Sequence, residues 1–279
     1  MDETFSSIDL VTQCLLDSER TDLFKQAIDK VITPEDVVLD AGTGSGILSL
    51  FAANAGAKKV FSVEFDPYVA MLAERNIINN RQEKKVEILL GDARNMDFEE
   101  GTRFDVVIME MLTTGMVDEY QVWTINNLFR KNYVSEKTRF LPWKQDTAIR
   151  LAQTDFSDHG FNMRMVKHLW KFLPKVPVSF LSEEQDLNSV VFNQINEMSF
   201  KTTKTFTVEE SGILNSVYLS STTWLTEDLK LEDTLALNAP VVFPFTEDLE
   251  VKKGDKIEVS LEYDFGNGYR NFKLKANKQ

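Results

Sequence analysis

Residues 37–55, VVLDAGTGSGILSLFAANA, pass from a short apolar run through three glycines into a second apolar stretch with helical spacing. A short apolar run reads as a buried strand, and glycines let the chain turn tightly into a helix whose first N–H groups are unpaired. The flanking segments keep the same beat. LFKQAIDKVI sets Leu23, Phe24, Ala27, Ile28, Val31 and Ile32 on one helical stripe and stops at Thr33-Pro34. KVFSVEFD then reads as a strand, YVAMLAERNIINN as a helix, VEILLGDA and FDVVIME as two strands, and YQVWTINNLFRKNYV as a helix. The order β-α-β-α-β-β-α predicts an α/β, Rossmann-like parallel sheet covered by helices.

From about Phe140 helical spacing fades and β-branched or aromatic residues alternate with polar ones. KIEVSLEYDF puts Ile257, Val259, Leu261, Tyr263 and Phe265 on one face, and Asn267-Gly268 behind it is a hairpin-turn signal. KTFTVEE, NSVYLSS and PVVFPF are weaker strands, with Pro240 and Pro244 implying edges or bulges. A C-terminal antiparallel β-barrel or sandwich is the expected closure. The division expected is 1–141 and 142–279, packed closely around Pro142 because no low-complexity linker separates them.

Lys and Arg number 31 against 44 Asp and Glu, a net charge of −13, which disfavours nucleic acid as a direct partner and favours a cationic one, unless the charge serves solubility alone. One cysteine, Cys14, excludes an internal disulfide, and with His159 and His168 leaves little for a metal site. Cys14 itself falls on an apolar face and is expected to pack. The start, MDETFSSIDL, is acidic and mixed, and no run approaches the roughly 18 apolar residues of a membrane span. A cytoplasmic protein with no membrane contact is expected.

Gly42, Gly44 and Gly46 form GxGxG, without the GxGxxG spacing of a pyrophosphate-binding dinucleotide fold. Glu64, at the end of the second strand, is placed to accept both hydroxyls of a ribose. Asp92, ending the next strand, can accept from an adenine amino group while the N–H of Ala93 meets a ring nitrogen. Asp40 can reach a ligand ammonium, directly or through water. Ribose, adenine and an amino-acid ammonium together describe S-adenosylmethionine. The plain alternative makes the glycines a tight turn and the acids solvated strand ends.

The stretch VLDAGTGSGILSLFAANAGAKKVFSVE resembles the cofactor-binding core of the protein arginine methyltransferases, class I S-adenosylmethionine-dependent enzymes. DSERT resembles the end of that family's N-terminal lid motif, which implies that Arg20 pairs with the methionine carboxylate. Glu110 and Glu119, nine residues apart in MEMLTTGMVDEY, resemble its double-glutamate substrate loop, and EVKKGDKIEVSL a strand and turn of its β-barrel. The likeness implies an atypical, shortened member. Phe5 and Val11 stand where the family has a tyrosine and a histidine, and ALNAP, Ala236 to Pro240, where it has a Thr-His-Trp loop. TTW, Thr222 to Trp224, echoes that loop without its histidine, so Asp17 is expected to lack its family partner. The family dimerises through an arm, for which residues 155–172 are the candidate.

A guanidinium stays protonated at neutral pH, so two facing carboxylates suit it, holding its planar fork and taking a proton as the new N–C bond forms. Glu110 and Glu119 are the expected catalytic pair, although one could cap its loop and the other open a helix. The expected enzyme transfers methyl to a guanidinium or similar nitrogen, on an arginine-containing protein or a small guanidine, leaving S-adenosylhomocysteine. The alternatives are a methyltransferase of an unrelated metabolite, an adenine-dinucleotide oxidoreductase, and a cofactor-binding scaffold without turnover.

Overall fold

The computed structural model describes residues 8–235 and 238–279. Two helices, α1 (Ile8–Leu16) and α2 (Ser18–Val31), come first. They break at Asp17, whose carboxylate accepts the Arg20 N–H at 3.3 Å and caps α2. Five parallel strands follow, β1 (Val37–Ala41), β2 (Lys59–Glu64), β3 (Val86–Leu90), β4 (Val106–Ile108) and β5 (Arg139–Leu141), in the spatial order β3-β2-β1-β4-β5. Helices α3 (Ile47–Ala55), α4 (Pro67–Asn79) and α5 (Gln121–Arg130) make crossovers between them. The chain leaves β1 towards β2 on one side while β4 lies on the other, so a crevice opens at the carboxyl ends of the strands, where α/β sheets bind ligands. β5 is not in the β-α-β-α-β-β-α beat. Three residues carry no readable period, and the strand exists because it pairs with β4.

Twelve antiparallel strands complete the chain: β6 (Lys144–Thr154), β7 (Ser157–Asp158), β8 (Phe161–Asn162), β9 (Lys167–His168), β10 (Val178–Phe180), β11 (Gln185–Val191), β12 (Ser199–Thr207), β13 (Gly212–Trp224), β14 (Lys230–Leu231), β15 (Val241–Val251), β16 (Lys256–Asp264) and β17 (Lys273–Lys278). One sheet runs β10-β6-β13-β15-β9, with β11 on β6 and β14 on β13, and a second runs β12-β16-β17. Leu151, Val217 and Phe243 of the first share a core with Phe206, Val259 and Leu261 of the second, a sandwich-like arrangement and not a closed barrel. The β13–β15 register breaks between Leu214 and Ser216, the latter opposite Pro244, as a proline that cannot donate to the ladder requires. The same core continues into the parallel sheet through Leu39 and Val107 and into α5 through Val122. No helix among the described residues is long and apolar enough to cross a membrane.

β16 and β17 are antiparallel neighbours, but the connection is longer than the two-residue hairpin that Asn267-Gly268 signals. The N–H groups of Gly266 and Gly268 instead donate at 3.0 Å to the carbonyls of Met116 and Val117. That diverts the turn onto the loop carrying the two glutamates.

Candidate active site

The crevice is a cavity whose floor is the glycine loop. Gly42 and Gly44 have φ of 81° and 53°, and the N–H groups of Gly42 and Thr43 both donate to the Val63 carbonyl, latching the turn to β2. A Cβ on Gly44 would stand 3.3 Å from Val11 Cγ1, so α1 crosses directly over the loop. Leu10, Val11, Cys14 and Leu15 of α1 form one wall, and none of the residues of α1 is buried. Cys14 thus faces the cavity as well as packing. Gly46 does not line it; its Cα faces Ala73 and Ile77 of α4 and serves helix packing.

Asp40 also stands behind the wall. It is 1% exposed and its Oδ2 accepts from Thr43 Oγ1 at 2.7 Å and Ser49 Oγ at 2.6 Å, so it braces the turn from below and does not face the cavity. Burial pushes its carboxyl up to about 6, with nearby Glu64 adding to the rise and the two hydroxyls opposing it. Glu64 does line the cavity. Its Oε1 accepts from the N–H groups of Phe65 and Asp66, and its Oε2 from Gly44 N–H at 2.9 Å, which leaves capacity on Oε2 for a ligand hydroxyl.

Asp92 and Ala93 line the far end. Both oxygens of Asp92 are occupied by its neighbour but one, since Arg94 Nε and Nη2 fork onto the carboxylate at 2.7–2.9 Å. The Arg94 guanidinium, its proton held more tightly by Asp92, lies 4.0 Å over the ring of Tyr120. Neither Arg94 nor Tyr120 was legible as a site residue; a short Asp-x-Arg spacing was the one available hint.

Glu110 and Glu119 enter the same cavity from the loop after β4. Arg20, which the resemblance implies for a methionine carboxylate, touches Glu110, with Arg20 Nη2 on Glu110 Oε1 and side chains 3% and 13% exposed. Arg20 Nε is buried without a partner, as is the Thr124 hydroxyl on the cavity wall. Glu119 is 5% exposed and pairs with no cation among the described residues. Burial pushes its carboxyl up to about 7; the Tyr120 N–H and Arg20 oppose the rise and Asp118 adds to it. No cluster of three metal-ligating side chains is found among the described residues.

The loop owes its shape to the antiparallel sheets. Thr114 donates to the Ala239 carbonyl, Gly115 N–H to Ser221 Oγ, Tyr263 OH to the Gly115 carbonyl and Trp123 Nε1 to the Phe265 carbonyl. Gly115 and Met116 take φ of 73° and 52° to make these bonds. Asp17 is not left without a partner: its Oδ2 accepts the Leu235 N–H at 2.9 Å, a backbone group standing in for a side chain. Phe5, Ala236 and Leu237 lie outside the described residues. Thr222 to Trp224 end β13, where Trp224 Nε1 donates to Asp146, and they do not line the cavity.

The donor set fits S-adenosylmethionine: an unpartnered buried guanidinium N–H for a carboxylate, an open carboxylate oxygen for a ribose, bare glycines for close approach, and apolar α1 side chains around them. The family model of ribosomal protein L11 methyltransferase (PrmA) matches residues 18–122. An uncharacterized protein of Methanocaldococcus jannaschii is 32% identical over 260 residues, 93% of each chain. Protein arginine N-methyltransferase 1 of Saccharomyces cerevisiae is 26% identical over 285 residues, 89% of this chain and 78% of its own. The chain is an S-adenosylmethionine-dependent methyltransferase that resembles the protein arginine methyltransferases. A Trypanosoma brucei protein arginine methyltransferase 1 enzyme–prozyme heterotetramer with S-adenosylhomocysteine shares the fold of this methyltransferase at TM-score 0.75 and 17% identity, covering 99% of both chains. The cofactor is S-adenosylmethionine and its product S-adenosylhomocysteine.

Proposed function

We propose that this methyltransferase acts on a guanidinium, or a similar cationic nitrogen, of an arginine-containing protein or a small guanidine. The observation that carries the proposal is Glu119, a buried carboxylate that forms no ion pair among the described residues, in the cavity that also holds Glu110. Arg20 touches Glu110 through Oε1 alone, so Oε2 remains for an acceptor N–H. When bound, S-adenosylmethionine supplies an electrophilic methyl group on a cationic sulfur. Arg20 Nε and the Glu64 Oε2 lone pair orient its carboxylate and ribose, Gly42 and Gly44 admit it closely, and Ala93 and Asp92 stand by its adenine. For Asp92, Arg94 must share the carboxylate. Asp40 acts one step back, by holding Thr43 and Ser49.

A cationic acceptor about 4 Å from that sulfur is repelled by on the order of 4 kcal/mol at an effective dielectric near 20. Glu110 and Glu119 offset the repulsion and set the acceptor plane. Glu119, buried and pushed up to about 7, can take the proton from the nitrogen as it gains carbon. The charge of −13 supports a cationic acceptor over nucleic acid. We also propose a homodimer formed through residues 155–172, where Phe161, Met163, Met165 and Phe172 are exposed by half or more.

The test is transfer of labelled methyl to an arginine-rich peptide pool and, separately, to small guanidines, with Glu119→Gln alongside. Label on either pool that falls at least about a hundredfold in the variant supports the reading and assigns the acceptor class. Tight S-adenosylhomocysteine binding with no label on either pool would sink it in favour of another acceptor or a scaffold.

A further inference from the structure

Asp118 and Glu119 are consecutive carboxylates that serve different neighbours. Glu119 lines the cavity, whereas Asp118 turns to the segment after β16, where Tyr269 OH lies 3.1 Å from Asp118 Oδ2. His168 Nε2, on β9, stands 3.3 Å from the same hydroxyl. An ionised carboxylate only accepts, so the Tyr269 hydroxyl must donate to Asp118, and its oxygen then takes the His168 Nε2–H. That tautomer leaves Nδ1 bare, and Nδ1 is buried without a partner. Burial pushes the imidazole down, which keeps it neutral. The chain His168, Tyr269, Asp118 thus ends one residue from Glu119, on a loop already gripped by Gly266, Gly268 and Phe265. No ion pair involves Asp118 among the described residues.

We propose that Asp118, held by Tyr269 and through it by His168, is a positioning residue that acts through Glu119, fixing its place and how readily it takes a proton. This rests on Glu119 being the proton acceptor of the proposed function. The groups that face Glu119 are Arg20 from α2, Glu110 from its own loop, the flanking Asp118 and the Tyr120 N–H, and Arg94 stacked beyond Tyr120. Of these Asp118 supplies a negative charge that raises the proton affinity of Glu119, and Arg20 opposes it. Burial pushes the Asp118 carboxyl up, and the Tyr269 hydroxyl opposes that rise.

The test is a carbon-13 carboxyl NMR titration of the whole protein, with the Glu119 signal assigned by its loss in Glu119→Gln. Asp118→Asn is expected to lower the Glu119 midpoint by about one pH unit, and Tyr269→Phe to lower it by less. Midpoints that stay at the wild-type value, or rise, in both variants overturn the proposal. Should Asp118→Asn not fold, Tyr269→Phe decides alone. The titration needs no turnover, so a failure of guanidinium methylation would be seen separately, as absent label with the midpoints still shifted. In active protein the acid limb of kcat moves with the midpoint, which a merely structural defect would not cause.

Discussion

At the scale of single residues, the site is a set of acids treated differently by their surroundings. Asp92 is tied to Arg94, Glu110 to Arg20 and Glu64 to three backbone N–H groups, while Glu119 is buried and forms no ion pair among the described residues. The consequence is a pH-dependent cost. Glu119 goes from an ordinary value of 4.5 up to about 7, and Asp40 from 3.8 up to about 6, both mainly by burial. A carboxyl raised in the folded state binds its proton more tightly there than in the unfolded chain. Its contribution is therefore complete below the unfolded value and lost as pH rises through the folded one. For Glu119 the loss falls between 4.5 and about 7. Urea unfolding of Glu119→Gln should match wild type near pH 4 and exceed it at pH 8 by on the order of 3 kcal/mol. Equal midpoints at pH 8 would show that the carboxylate is solvated after all.

At the scale of elements, the two-glutamate loop is held by the turn after β16, more than a hundred residues away in the chain. Gly266 sits at φ 65°, and a Cβ there would fall 2.8 Å from the Glu119 carbonyl oxygen and 2.9 Å from the Trp123 ring. Gly266→Ala combines that clash with a left-handed backbone, and should cost about 1–3 kcal/mol in stability. Its sharper signature is functional: kcat should fall while S-adenosylhomocysteine affinity changes less than about threefold, because Arg20, Glu64 and the glycine loop are built on other elements. A parallel loss of cofactor affinity would mean that the turn supports the whole crevice. The sequence could indicate a glycine-containing turn at this place, since Asn267-Gly268 is a local signal. It could not indicate what the turn grips, because the Met116 and Val117 carbonyls carry no side-chain signature.

At the scale of the whole molecule, one core runs from the parallel sheet into the sandwich-like sheets, so the acceptor side of the cavity is built jointly by both. On 155–172 Phe156 is buried and Val166 packs on that core, whereas Phe161, Met163, Met165 and Phe172 are exposed. If they pair two copies, light scattering at micromolar concentration should give twice the 32.0 kDa chain mass, and Phe161→Asp with Met165→Asp should return it to the monomer. A monomeric mass for the wild type would leave that apolar surface to another partner.

The amino-acid sequence by itself determined the alternation of strands and helices, the glycine turn and the presence of two acids nine residues apart. Periodicity and φ preference are local, and local pattern survives in a linear string. Only the tertiary structure decided how those acids are employed: that Asp40 braces the turn, that Arg20 meets Glu110, that Arg94 takes Asp92, and that Asp17 accepts from Leu235. A carboxylate's partner and proton affinity depend on burial and on charges within a few ångströms, and those neighbours come from segments the chain order keeps apart.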